Sequence, residues 1–322
     1  MDALSDVLKI VALKGAVFYN AEFSAPWSFR SPASQFIAQH FGPDAGHVII
    51  YHLLTEGVAW AQIEGGRRVE LSPGDIVVFP HGDPHLMGNG SPTEAVDNGK
   101  ELARILSQGL TVTRMGGSGA VTKFVCGYMT CEPQVSSLIL AGLPPLLRIN
   151  IRNDASGAWL ENSIRFSVAN ASSSNAGAEA VLAKLSEALF IETLRRYVAL
   201  LPAAATGWLA GARDPNVGKV LGLLHSQPGR HWTIGALAAS AGVSRAVLAE
   251  RFRHFVGEPP ISYLTRWRLQ LGARLLTTTR HSVAEVAAQV GYDSEAAFNR
   301  AFKRAFNVPP GRFRRDSRWP IG

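Results

Sequence analysis

The chain has 322 residues, 47% hydrophobic and 18% charged. That length suits two domains, and that composition buries a core, which excludes a disordered or collagen-like polymer. The formal net charge of +7 is unevenly placed: residues 213–322 hold 17 Lys/Arg against 7 Asp/Glu, a net of +10, and residues 1–212 carry −3. Such asymmetry predicts a module for nucleic acid or a membrane surface joined to a near-neutral one. Two cysteines make no disulfide framework for a chain of this size, so a reducing, cytoplasmic compartment is expected. Met1-Asp2-Ala3-Leu4-Ser5-Asp6 carries acids where a secretory signal needs bases. No apolar run approaches the ~18–20 residues of a membrane span, so no membrane partner is expected.

Leu4, Val7 and Leu8 recur at helical spacing and predict a short opening helix. Residues 10–24 read as strand. Strand-like runs follow at His47–Leu53, Val58–Ile63, Arg68–Leu71 and Ile76–Phe79, broken by Glu64-Gly65-Gly66 and Ser72-Pro73-Gly74-Asp75. That rhythm predicts an antiparallel barrel or sandwich. Residues 88–100 read as an exposed loop and 120–130 as a further strand. From Trp159 the pattern turns helical, with a Ser-rich break at Ala171–Asn175. An apolar stripe follows, Val181, Leu182, Leu185, Leu189, Leu194, Val198 and Leu201. Residues 202–214 carry the boundary, and no stretch beyond them reads as strand.

The basic third repeats itself: residues 233–260 match 283–310 at an offset of 50, pairing Ala238 with Ala288, Ser244 with Ser294 and Phe252 with Phe302. Each copy reads as helix, tight turn, helix. Thr233 and Ser244 cap the first pair around Gly242. Ser282-Val283-Ala284-Glu285 is a capping box, Gly291 permits the second turn, and Ser294 caps the last helix. A helix-turn-helix places its second helix in the DNA major groove. Leu248, Phe252 and Phe255, like Phe298, Phe302 and Phe306, form core stripes. The opposite faces carry Arg245, Ala246, Ala249, Glu250 and Arg253, then Glu295, Ala296, Asn299, Arg300 and Lys303. Arg suits guanine and Asn suits adenine, so Arg245, Asn299 and Arg300 are the expected base readers. Arg253, Lys303 and Arg251, with the backbone amides at each helix start, are expected on phosphate. Pro260 to Thr277 reads as one helix joining the copies, setting the reading helices about one DNA turn, ~34 Å, apart.

This layout resembles the AraC/XylS family of bacterial transcription regulators. The matching residues run from Trp232-Thr233-Ile234 to Phe313-Arg314, through Leu237-Ala238-Ala239-Ser240-Ala241-Gly242-Val243-Ser244, Arg251-Phe252, Gly257, Gly291-Tyr292, Phe302-Lys303 and Pro309-Pro310. The resemblance implies two helix-turn-helix motifs on double-stranded DNA and an encounter with RNA polymerase. One departure is that Ala246, Ala249 and acidic Glu250 stand where the first copy's base contacts are expected.

Gly74-Asp75-Ile76-Val77-Val78-Phe79-Pro80-His81-Gly82-Asp83-Pro84-His85, with Asn89, resembles the second motif of the cupin barrel. The resemblance implies a barrel with His85 pointing inward. Metal-binding cupins add an H-x-H and a Glu; the matching region, Asp44–Ile50, has no H-x-H and places Ile50 where the Glu would be. Ser24-Ala25-Pro26-Trp27 and Leu143-Pro144-Pro145 also look like the cupin-type sensor half of a subgroup of AraC-like regulators.

The expected fold class is α+β and multidomain: residues 1–205 as cupin-like sensor with dimerisation helices, 206–213 as linker, 214–322 as DNA-binding domain. No cofactor, metal or catalytic residue is expected; the alternative is a metal-dependent cupin enzyme carrying a DNA-binding domain, with His47, His52, His81 and His85 as an irregular ligand set. Candidate effector contacts are His52, His81, His85, Arg148 and Arg152. Arg148-Ile149-Asn150-Ile151-Arg152, with Asn170-Ala171-Ser172, loosely resembles the cyclic-dinucleotide motif of PilZ domains. Cys126 and Cys131 are candidate redox residues, provided a turn after Gly127 brings them together. The 181–201 stripe is expected to serve both the barrel and a twin in a homodimer.

Overall fold

The computed structural model describes residues 4–5, 14–38, 47–90, 96–97, 112–131, 140, 142–171 and 177–316. The expected opening helix, part of the 88–100 loop, Ser172 and the side chain of Cys131 lie outside the described residues. Contacts divide the chain into two units, one ending at Leu201 and the other running on from Pro202.

The first unit is built on β1 (Lys14–Ser24), β2 (Trp27–Ser31), a short α1 (Gln35–Ala38), β3 (His47–Glu56), β4 (Ala59–Ile63), β5 (Val69–Leu71), β6 (Asp75–Phe79), β7 (His85–Asn89), β8 (Val96–Asp97), β9 (Val112–Gly116), β10 (Val121–Cys131) and β11 (Leu147–Asn150). They form one sheet in the order β11-β6-β3-β10-β1-β9 and a second in the order β5-β4-β7-β2-β8. The ladders are antiparallel except at two edges, where β9 runs parallel to β1 and β8 parallel to β2. Parallel neighbours need a crossover rather than a hairpin, so strand rhythm alone did not reveal them. Gly88 and Asn89, expected in a loop, extend β7 beside β2.

Phe23, Trp27, Phe29, Ile50, Leu54, Val77, Phe79, Met87, Phe124 and Tyr128 form the core of this unit. Each large apolar side chain buried there contributes ~1.5–3 kcal/mol. β11 escaped sequence reading because it is four residues long with two polar side chains. Yet Leu147 and Ile149 point inward and Arg148 outward, the period of two that a half-buried strand requires.

Two helices close the unit, α2 (Ala155–Ala171) and α3 (Ala178–Leu200). The α3 stripe is Leu182, Ser186, Leu189, Phe190, Thr193 and Leu194, all buried. It packs on this unit's own α2, β1 and β11, and Ser186 Oγ lies 2.5 Å from the Tyr51 hydroxyl. The buried side of α3 thus serves the unit itself, as expected for one face of the stripe. Of the stripe read from sequence, Val181 is exposed, as is Leu200, and Leu185, Val198 and Leu201 are half-buried.

The second unit is helical: α4 (Trp208–Arg213), α5 (Pro215–Ser226), α6 (Ile234–Ala241), α7 (Arg245–Val256), α8 (Pro260–Thr278), α9 (Val283–Gln289), α10 (Glu295–Phe306) and α11 (Pro310–Asp316). The expected linker at 206–213 is a correction. Trp208, Leu209, Ala210 and Gly211 form a buried helix packed on α5 and α7, because a Trp-Leu pair in water would forfeit the burial they find here. Asp214 then caps α5, accepting from the backbone N–H groups of Asn216 and Val217, with Pro215 at the first helical position.

Candidate nucleic-acid interface

Each sequence-predicted helix start is realised by its cap. The hydroxyls of Thr233, Ser244 and Ser294 accept from the backbone N–H groups of Ala236, Val247 and Ala297, each at 3.2 Å. At α9 the capping box is complete: Ser282 N–H donates to Glu285 Oε2 at 2.6 Å, and Glu285 N–H donates to Ser282 Oγ at 3.2 Å. The Ser282 N–H and hydroxyl, both donating to this carboxylate, hold it below the usual carboxylate range. The turn between α6 and α7 passes through Gly242 at φ 71°, a left-handed conformation that any Cβ would strain.

The core stripes settle which faces remain outside. Leu248, Phe252, Phe298 and Phe302 are fully buried, whereas Phe255 and Phe306 are half-buried. The long helix α8 serves both copies. It lends Tyr263, Leu264 and Trp267 to the first and Leu269, Ala273 and Leu276 to the second. Its 19 residues span about 28 Å.

Opposite the core, Arg245, Ala246, Glu250 and Arg253 of α7 are exposed and Ala249 is half-buried. On α10, Glu295, Ala296, Arg300 and Lys303 are exposed and Asn299 is half-buried. Among the described residues, no carboxylate pairs with Arg253, Arg300 or Lys303. Asn299 Nδ2 donates to Glu295 Oε1 at a long 3.5 Å, a bond easily exchanged for another acceptor. Each copy thus presents one capped helix, backed by buried core side chains, with exposed cations on its outer face. Arg251 differs from Arg253, Arg300 and Lys303: its guanidinium donates to Asp214 Oδ2.

A family model described as a cupin matches residues 2–199, and one described as a helix-turn-helix domain matches 237–316. A protein of Streptomyces lividans named as an AraC-like transcription regulator is 30% identical over 99% of this chain and all of its own length. The chain belongs to the AraC-like transcription regulators. An RCS-specific transcriptional activator of Escherichia coli, RclR, is 27% identical over 98% of this chain and 97% of its own. The solved DNA-binding domain of AdpA in complex with a target DNA is 32% identical, covers 34% of this chain and 99% of that one, and has a TM-score of 0.32.

This AraC-like regulator carries a helix-turn-helix DNA-binding domain, and its cupin unit holds the remaining sequence-predicted residues. His52 and His85 meet inside the unit, Nε2 to Nε2 at 3.3 Å. His85 Nδ1 donates to the Asp83 carbonyl at 3.0 Å, and its ring stacks on Phe79 with centroids 3.5 Å apart. Its Nε2 therefore carries the lone pair and accepts from His52. Burial pushes His52 well below the ordinary histidine range, helped by His85, and takes His85 down to about 4. Both rings are neutral near pH 7. The other two histidines part company with this pair, because each bonds a backbone carbonyl, His81 that of Leu143 at 3.0 Å and His47 that of Pro80. The four do not converge as an irregular ligand set, and among the described residues no group of three His, Cys, Asp or Glu is placed to hold a metal ion.

Arg148 and Arg152, expected as effector contacts, are committed to structural pairs. Arg148 Nε donates at 3.0 Å to Asp75, which is fully buried and also accepts from Asn150 Nδ2 at 3.0 Å and Ser72 N–H at 2.7 Å. Arg152 binds buried Glu161 through two bonds of 2.6 and 2.7 Å and reaches the Thr55 carbonyl at 2.8 Å. A carboxylate left alone in such surroundings is costly, which explains the pairing.

Cys126 is buried in the core between the sheets. The turn expected after Gly127 does not form: β10 runs unbroken to Cys131, with Gly127 paired to Tyr51 and Phe18. Five strand residues separate the two cysteines by about 16 Å, well beyond the ~7 Å a disulfide tolerates. What sequence reading missed is the polar interior of the helical unit. Tyr263 Oη accepts from Trp208 Nε1 at 2.9 Å and donates to His225 Nε2 at 2.7 Å. Burial raises the Tyr263 hydroxyl above the ordinary tyrosine range. The signal for Asp214 was present as Asp-Pro at a helix start.

Proposed function

We propose that α7 and α10 enter two adjacent major-groove segments of one DNA face. Arg245, Asn299 and Arg300 read bases, with Ala246, Ala249, Glu250, Glu295 and Ala296 lining the reading faces. Arg253, Lys303 and the amides at the helix starts hold phosphate. The observation that carries this is the pair of equivalent capped helices whose exposed cations have no carboxylate partner among the described residues. The length of α8, about 28 Å, supports a spacing near one DNA turn. The cupin unit senses a small-molecule effector and the output passes to RNA polymerase. A homodimer completes the reading, supported by exposed Trp159 and Phe166, seven residues apart on one face of α2. Selection of random duplexes by the full chain tests the reading. It should enrich two elements with centres 10–11 base pairs apart; recovery of a single element, or of none, would overturn it.

A further inference from the structure

The first copy of the repeat has a tether that the second lacks. Asp214 lies between α4 and α5, and its side chain is 5% exposed. Oδ1 accepts from the N–H groups of Asn216 at 3.0 Å and Val217 at 2.9 Å, while Oδ2 accepts from the Arg251 guanidinium on α7. Burial alone would push this carboxyl up, but the Val217 amide, the Arg251 charge and the Asn216 amide outweigh it and hold the group ionised. The Nε of Arg251 is buried, and the side chain, 43% exposed, reaches Asp214 through a terminal guanidinium nitrogen. Nearby, α4 closes on the same helix: a Cβ at Gly211 would stand 3.0 Å from the Phe255 Cβ. One turn from Arg251 along α7, on neighbouring faces, lie Val247, Leu248 and Phe255.

At the equivalent position of the second copy stands Ala301, packed on an apolar cluster. Phe298 and Phe302 seat α10 by shape alone, with Tyr292 and Phe313 beside them. A helix seated by rings can roll slightly about its axis, whereas one gripped by a capped, buried carboxylate cannot without breaking a charge-assisted bond.

We propose that Asp214 and Arg251 are positioning residues for DNA reading. The carboxylate that caps α5 fixes the roll of α7, and so aims the face carrying Arg245 at its bases, while Arg251 itself touches no phosphate. The inference rests on α7 and α10 being the reading helices. The element that precedes the repeat in the chain, α4 with Asp214, grips only the first of them.

The test uses the full chain and the duplex recovered by selection, with versions in which either element is scrambled. Asp214→Asn keeps an acceptor for the cap and removes the charge; Arg251→Gln removes the other partner. Each should weaken binding about 5–10-fold on the intact duplex, and the double variant should be no worse than either single one. The loss should vanish when the element under α7 is scrambled and persist when the other is. The salt slope should not change, and Arg251→Lys should restore most of the affinity. A slope lowered by about one unit in Arg251→Gln, with Asp214→Asn unaffected, would make Arg251 a phosphate contact and overturn the proposal. Additive losses spread equally over both elements would reduce the pair to general stability and overturn it as well. Should Asp214→Asn fail to fold, slope and element dependence in Arg251→Gln decide alone. If Arg245→Ala and Arg300→Ala changed neither element, the helix assignment would fail separately, which the Asp214 comparison does not require.

Discussion

The two helix-turn-helix copies share caps, turn, core aromatics and spacing, yet they are anchored differently. The first is tied by an ion pair and a hydrogen-bonded interior of Trp208, Tyr263 and His225, the second by packed phenylalanines and a capping box. The difference shows that two copies can share caps and a buried aromatic core while the supports around that core diverge. It also divides the charge: the same basic surplus that suggests a DNA partner includes Arg251, whose guanidinium is paired with the Asp214 carboxylate.

The largest effect probes the shared supports. Phe252→Ala and Phe302→Ala each delete a fully buried ring and should cost ~3–5 kcal/mol in denaturant unfolding. Equal costs would mean that the tether adds nothing to cooperativity in the first copy. A larger cost at Phe302 is expected, since α10 has no ion pair at the Arg251 position to fall back on.

The contrast of inward and outward charge extends to the cupin unit, whose histidines are buried neutral. Because the folded-state pKa of His85 is lowered to about 4 from an ordinary 6.5, the unfolded chain binds more protons between those values. Stability of that unit is therefore fully present above about pH 6.5 and is lost as pH falls toward 4, by ~3 kcal/mol from His85. His52 acts in the same direction. Urea midpoints measured from pH 7 to pH 5 should fall, and His85→Phe should flatten the curve; a flat wild-type curve would refute the neutral pair.

Smaller effects test the faces. Arg300→Ala should lower affinity by ~1–3 kcal/mol and relax choice at one base position. An equal loss on all sequences would place Arg300 on phosphate instead. Smallest is Arg253→Ala, which should lower the salt slope by about one unit with sequence preference intact. Arg253 and Arg251 are two residues apart, so opposite outcomes at them would display the outward and inward roles side by side.

The helical repeat was legible because its signals are local. Thr233, Ser244, Ser282 and Ser294 each announce a helix start, and Gly242 a turn. The cupin motif was likewise carried by Gly74, Pro80, Gly82 and His85. What resisted was anything decided by a distant partner. Arg148, Arg152 and Arg251 look like unpaired surface cations in sequence, and only the structure shows them bonded to the buried carboxylates of Asp75, Glu161 and Asp214. The segment at 206–213 was misread for a different reason: Pro202 and the small residues after it resemble a linker, and the buried Trp208-Leu209 pair overrules them.

The unbroken α8 has a consequence for how such a protein can vary. Each residue inserted into it would turn the second copy by about 100° and push it about 1.5 Å along the axis. The reading face of α10 would then look away from the groove that α7 occupies. Only changes close to whole turns, roughly three or four residues, would keep both faces on the same side. The helix therefore acts as a vernier: the distance between recognised elements can shift only in coarse notches, while the letters read at each end stay free to drift one side chain at a time.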